Sequence, residues 1–153
     1  MDASNLYAKD WQKFRPRDKH IVAAVVPTAN HRVIDFNQET GNAATSFVNT
    51  EQLESCNTDV VPVITPSVAI TELAKWWPFS TPPEIISTDL EGLDEALWLS
   101  FPFESFKPKV LIIEVHNFFR ELDKHSPFVE RLQEFNYKLY AIVGPSIIYL
   151  RSH

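Results

Sequence analysis

Residues Glu84 to Leu99, EIISTDLEGLDEALWL, pass from a short apolar run through acids and a glycine into a helical pattern. A strand that hands over to a helix in so few residues is a unit of an α/β fold. The carboxylates at Asp89, Glu91, Asp94 and Glu95 have two physical readings. Acids near a helix start are stabilised by its positive end, typically by about 0.5–1 kcal/mol. Acids beyond the carboxyl end of a strand can instead build a site, because open parallel sheets bind ligands at that edge. Asp94 and Glu95 fall in the first helical turn and read as charge complementation alone. Asp89 and Glu91 stay open to both readings. Gly92 relieves the backbone where the chain reverses, whichever holds.

Downstream, Val110 to Val115 (VLIIEV) is the clearest buried strand, and Glu114, His116 and Asn117 lie within it or just after it. A carboxylate in an apolar strand is costly unless paired, so Glu114 reads as a site residue or half of a buried pair. His116 reads either as a loop histidine or as a chemical group. Ser126-Pro127 starts a helix with Phe128, Leu132 and Phe135 inward. Leu139 to Val143, Gly144-Pro145 and Ile147 to Leu150 then predict an antiparallel hairpin.

Upstream, Ser4 caps a short helix with Tyr7, Trp11 and Phe14 on one face, and Arg15-Pro16-Arg17-Asp18 ends it. Ile21 to Val26 (IVAAVV) predicts a strand buried on both faces. Arg32 to Phe36 reads as a more exposed strand, and the polar segment Asn37 to Asp59 as a mobile loop. Val60 to Ile64 contains Pro62, which lacks a donor and points to an edge or short strand. Thr65-Pro66 opens a helix whose inward face is Ile70, Leu73, Ala74 and Trp77. The order of strands and helices predicts a single α/β domain over residues 1–153, a parallel sheet closed by an antiparallel terminal strand.

Composition narrows the function classes. The chain has 153 residues, 44% of them apolar, with eleven Phe and four Trp to fill a core. A net charge of −6 argues against a nucleic-acid backbone as partner. Lys13 to His20 (KFRPRDKH) is the nearest approach to a basic patch, and Asp18 dilutes it. The single Cys56 excludes an internal disulfide and a cysteine-based zinc site. No apolar run reaches the roughly 18 residues of a membrane span, and MDASNLYAKD does not read as a signal peptide. The expected location is cytoplasmic. The glycines at 41, 92 and 144 stand too far apart for a phosphate-binding loop. Metal motifs such as HExxH and nucleophile elbows are absent from the sequence.

The stretch from Pro83 to His116, PEIISTDLEGLDEALWLSFPFESFKPKVLIIEVH, resembles the FkbM-type methyltransferases. The carrying motifs are Asp89-Leu90-Glu91-Gly92, Lys107-Pro108-Lys109-Val110 and the strand-ending Glu114. Arg15 to Asp18 followed by IVAAVV is similar to the family's third-strand region, Asn49-Thr50 to a loop there, and Tyr137 to Arg151 to its closing hairpin. The resemblance implies a truncated Rossmann-like fold of the class I methyltransferase kind. It implies S-adenosylmethionine as cofactor and O-methylation of a small hydroxylated metabolite or sugar. By the same resemblance Asp89, Glu91 and His116 are catalytic candidates, Asp2 and Asp89 hold the cofactor, and Glu114 and Asn117 contact substrate.

Asp2 matches the ribose-binding acid, whereas the first strand and its glycine-rich turn have no counterpart in this sequence. That departure implies either an active enzyme or a catalytically inactive binding or assembly module, as a gene fragment or a shortened homologue. It also implies an exposed sheet edge covered by a second copy or by rearrangement. Asp89-x-Glu91 further has the form of a first metal motif of a two-metal exonuclease, but no late His or Tyr stands four or five residues before an Asp.

Overall fold

The structure, a computed structural model of the chain, describes residues 1, 7–27, 33–38, 46–47, 58–75, 83–90, 92–115 and 126–152. Two compact units divide it, Met1–Trp76 and Trp77–His153.

In the first unit α1 (Ala8–Phe14) is followed by β1 (Ala24–Val25), β2 (Val33–Gln38), β3 (Ser46–Phe47), β4 (Thr58–Ile64) and α2 (Pro66–Ala74). The sheet order is β1-β4-β2-β3, with β1 parallel to β4 and the other ladders antiparallel. Residues 26–32 are too few for a parallel crossover, which takes a dozen or more. The chain therefore returns antiparallel between β1 and β2.

Ala23 and Ala24 are both buried. Successive strand residues face opposite sides, so this segment is covered on both faces, as its apolar run predicts. The strand itself is shorter than the run. Pro62 corrects another expectation, for β4 lies inside the sheet rather than at its edge. The β2 ladder stops at Val33↔Pro62 and the β1 ladder covers Val63 and Ile64, so the missing donor falls where one pairing gives way to the other.

The two helices of this unit are positioned differently from their patterns. No residue of α1 is buried, and Phe14 is 69% exposed. Trp11 instead stacks on His20 at 5.6 Å, with the Arg15 guanidinium over its ring at 4.8 Å. Arg15 in turn pairs with Asp18. In α2, Thr65 takes the extended N-cap conformation and Pro66 the first helical position. Pro66 and Ala69 are its buried residues, whereas Ala74 is exposed. The inward face is thus rotated toward the start of the helix. The expectations for Ser4, Trp77 and most of the 37–59 loop lie outside the described residues.

The second unit contains β5 (Ile85–Thr88), α3 (Asp94–Ser100), β6 (Val110–Glu114), α4 (Pro127–Glu134), β7 (Tyr137–Val143) and β8 (Ser146–Arg151). Its sheet order is β5-β6-β8-β7. β5 and β6 are parallel, joined through α3, while β8 runs antiparallel between β6 and β7. The expected terminal hairpin is present, turning at Gly144-Pro145 with φ of 59° at the glycine. A bulge between Leu139 and Ala141 leaves Tyr140 out of the pairing and 70% exposed. The molecule is mixed α/β, and parallel pairing is found in one ladder of each sheet. Among the described residues no helix is long and apolar enough to cross a membrane.

The core of this unit is aromatic. Trp98, Phe101 and Phe103 lie on or just after α3, with ring centroids 4.6 to 5.8 Å apart. Phe103 continues the stack to Phe135 at 5.0 Å and Tyr137 at 5.3 Å. The Arg131 guanidinium lies over the Phe135 ring at 4.4 Å and pairs with Glu104 at 2.9 Å.

Tyr137 is fully buried, and its hydroxyl donates to the Pro108 carbonyl at 2.6 Å. This bond ties the KPKV turn to the hairpin. Tyr137→Phe leaves that carbonyl unsatisfied, with an expected loss of about 1–3 kcal/mol in urea denaturation. A loss below the error of the measurement would mean that water replaces the bond.

Candidate functional site

The carboxyl ends of β5 and β6 are level. Their register runs from Ile85↔Val110 to Thr88↔Ile113. The ladder ends there; Asp89 follows β5 directly and Glu114 closes β6, so both stand at the carboxyl ends of neighbouring strands. Glu114 is the last residue of β6, half-buried, and its ladder partner is Ser146 of β8. The Val115 amide donates to the Pro145 carbonyl at 2.9 Å, which brings the hairpin turn to the same edge. Asp89, Glu114, Gly92 and Gly144 therefore gather at one end of the sheet.

Asp89 is exposed and follows β5 directly. Gly92 has φ of 94°, a conformation that side-chain-bearing residues rarely adopt. A Cβ there would meet nothing within 4 Å, so the turn needs glycine for its backbone angle and not for a close approach. Between these residues the chain folds back on itself. The Leu90 carbonyl accepts from the Leu93 amide at 3.2 Å, and the Leu90 amide donates to Asp94 Oδ2 at 2.8 Å.

Asp94 is the residue that the pattern misassigned. Far from sitting on a solvated first turn, it is 1% exposed and is the one buried charged side chain among the described residues. Its Oδ1 has no hydrogen-bond partner among them. Burial pushes its carboxyl above the ordinary range. The neighbouring Thr88 hydroxyl and the Leu90 amide draw it back, and the charge of Asp89 raises it further. Thr88 also accepts a hydrogen bond from Trp98 Nε1 at 3.1 Å, which anchors the strand end to the aromatic core. The signal was present in the spacing. Asp94, Leu97, Trp98 and Phe101 stand at i, i+3, i+4 and i+7, and all four are buried.

Of the residues nominated from sequence, the structure brings Asp89 and Glu114 to one edge. Asp2, Glu91, His116 and Asn117 lie outside the described residues. Among those described, no group of three or more His, Cys, Asp or Glu could hold a metal ion. The edge offers an exposed carboxylate, a second half-buried one, and a turn held from inside by a third. Such an arrangement favours a small ligand bearing positive charge or hydroxyl donors. In comparisons with known proteins, the chain matches no family model, no curated sequence and no solved structure.

Proposed function

We propose that the chain is an S-adenosylmethionine-dependent O-methyltransferase-like domain acting on a small hydroxylated metabolite or sugar. The observation that carries this reading is the place of Asp89 and Glu114 at the carboxyl edge of two parallel strands, closed by an antiparallel hairpin. A Rossmann-like sheet of the class I methyltransferase kind is the fold that this reading entails.

When bound, the cofactor supplies an electrophilic methyl group on a cationic sulfonium. The exposed Asp89 carboxylate favours that positive charge and orients an incoming hydroxyl. Glu91 and His116 are the proposed acceptors of the hydroxyl proton. Glu114 and Asn117 are proposed to hold the substrate, and Asp2 the ribose hydroxyls. The proposed contact of the described residues is with the sulfonium end. Glycines 41, 92 and 144 form no glycine-rich turn, so no residue is assigned to the methionine end of the cofactor.

That same absence favours a second reading, a domain of this kind that binds or assembles without catalysis, with a second copy beside it. Calorimetric titration separates the two from everything else. Binding of S-adenosylmethionine or S-adenosylhomocysteine is expected at millimolar concentration or below, and methyl transfer to a hydroxylated acceptor distinguishes enzyme from binder. No heat with either compound would remove both readings of the site as a cofactor pocket.

A further inference from the structure

We propose that Asp94 is a positioning residue: its buried carboxylate latches the Leu90 amide and so fixes the turn that presents Asp89 and carries Gly92. The role rests on the reading of this edge as the binding site. Three observations lead to it. The bond from Leu90 to Asp94 Oδ2 spans the turn from its second residue to the first residue of α3, closing it at 2.8 Å. Asp94 is 1% exposed, so solvent does not compete for that acceptor. The other oxygen is unpartnered, although a neutral side chain of the same shape would serve as a helix-start acceptor without burying a charge.

A buried anion beside an exposed one concentrates negative potential at a single edge. The groups that act on the Asp94 carboxyl are the Thr88 hydroxyl, the Leu90 amide, its own backbone amide and the Asp89 carboxylate. None of these is a cation. The charge of Asp89 opposes that of Asp94, and a positively charged ligand at Asp89 would offset that opposition. Asp94 acts through the backbone and through charge, with Asp89 making the contact.

The test combines a wild-type measurement with two variants of the full chain. In the wild type, the Leu90 amide proton resonance is followed against pH. It is expected to titrate with Asp94, at a midpoint above that of an ordinary aspartate because burial raises it. An amide that does not titrate would overturn the latch. Amide hydrogen exchange is then compared between Asp94→Asn, which keeps an acceptor, and Asp94→Ala, which removes it.

Leu90 is expected to exchange about tenfold faster or more in Asp94→Ala and within about threefold of wild type in Asp94→Asn. The Trp98 indole should stay protected in both. Equal Leu90 exchange in wild type and Asp94→Ala would overturn the proposal, as would no rescue by asparagine. If Asp94→Ala does not fold, the wild-type titration decides alone. S-adenosylmethionine affinity is read on the same samples. Wild-type protein that binds no cofactor would remove the methyltransferase reading, whereas the Leu90 amide judges the latch independently.

Discussion

Replacing Trp98 with alanine is expected to lower the stability of the Trp77–His153 unit by about 3–5 kcal/mol, the usual loss for a large aromatic removed from a core. Trp98 has no exposed surface, touches Phe101 and Phe103, and donates its indole N–H to Thr88. The substitution therefore empties one end of the aromatic stack and frees the end of β5 at once. A domain of ordinary stability has only about 5–15 kcal/mol in total. The urea midpoint should fall steeply and near-ultraviolet dichroism should weaken before denaturant is added. Trp98→Phe keeps a ring in place but removes the hydrogen bond to the Thr88 hydroxyl, so about 1–2 kcal/mol is expected from the hydrogen bond and lost volume together. If alanine proves as mild as phenylalanine, the stack is not the core of this unit.

The second large effect is alkaline unfolding. Burial pushes the phenols of Tyr137 and Tyr149 up to about 12 from an ordinary value of 10.0. For Tyr149 the charge of Glu95 adds to the rise, and for Tyr137 the nearby Arg151 opposes it. Below pH 10 both folded and unfolded chains keep these protons, and the contribution of the buried phenols is fully present. Between pH 10 and 12 the unfolded chain releases them while the folded chain holds them, so stability falls as pH rises. At about 1.4 kcal/mol per unit for each group, the two together are worth roughly 5 kcal/mol over that interval. Tyrosinate absorbance and urea midpoints measured in parallel should show ionisation of these two residues coinciding with unfolding. Tyr149→Phe should remove about half the slope. Two normally titrating phenols in folded protein would show that the core is open to water.

Much of the second unit was legible in the residues themselves. The apolar run from Val110 to Ile113 forms most of β6, the Gly144-Pro145 turn forms the hairpin, and Ser126-Pro127 opens α4 with Phe128 and Leu132 buried. These elements are local, because periodicity, a turn residue or a cap decides each. The first unit was less legible. The place of β4 inside its sheet depends on which distant strands flank it, and nothing near Pro62 encodes that.

At the candidate site, Asp89 and Glu114 could be nominated because each follows an apolar run, and the parallel pairing of β5 with β6 then brings both to one edge. Asp94 was hidden by its chemistry. An acid in a first helical turn has an adequate electrostatic explanation at the surface, so its inward phase with Leu97 and Trp98 passed unweighted.

The bulge at Tyr140 bears on self-association of a less welcome sort. A straight outer strand bearing Leu139, Ile142 and Val143 would be a template along which foreign chains could stack into fibrils. An extra residue at Tyr140 twists the strand and breaks the even comb of amide donors that such growth requires. Deleting Tyr140 would straighten the comb, and the hairpin would trade a safeguard for a seed.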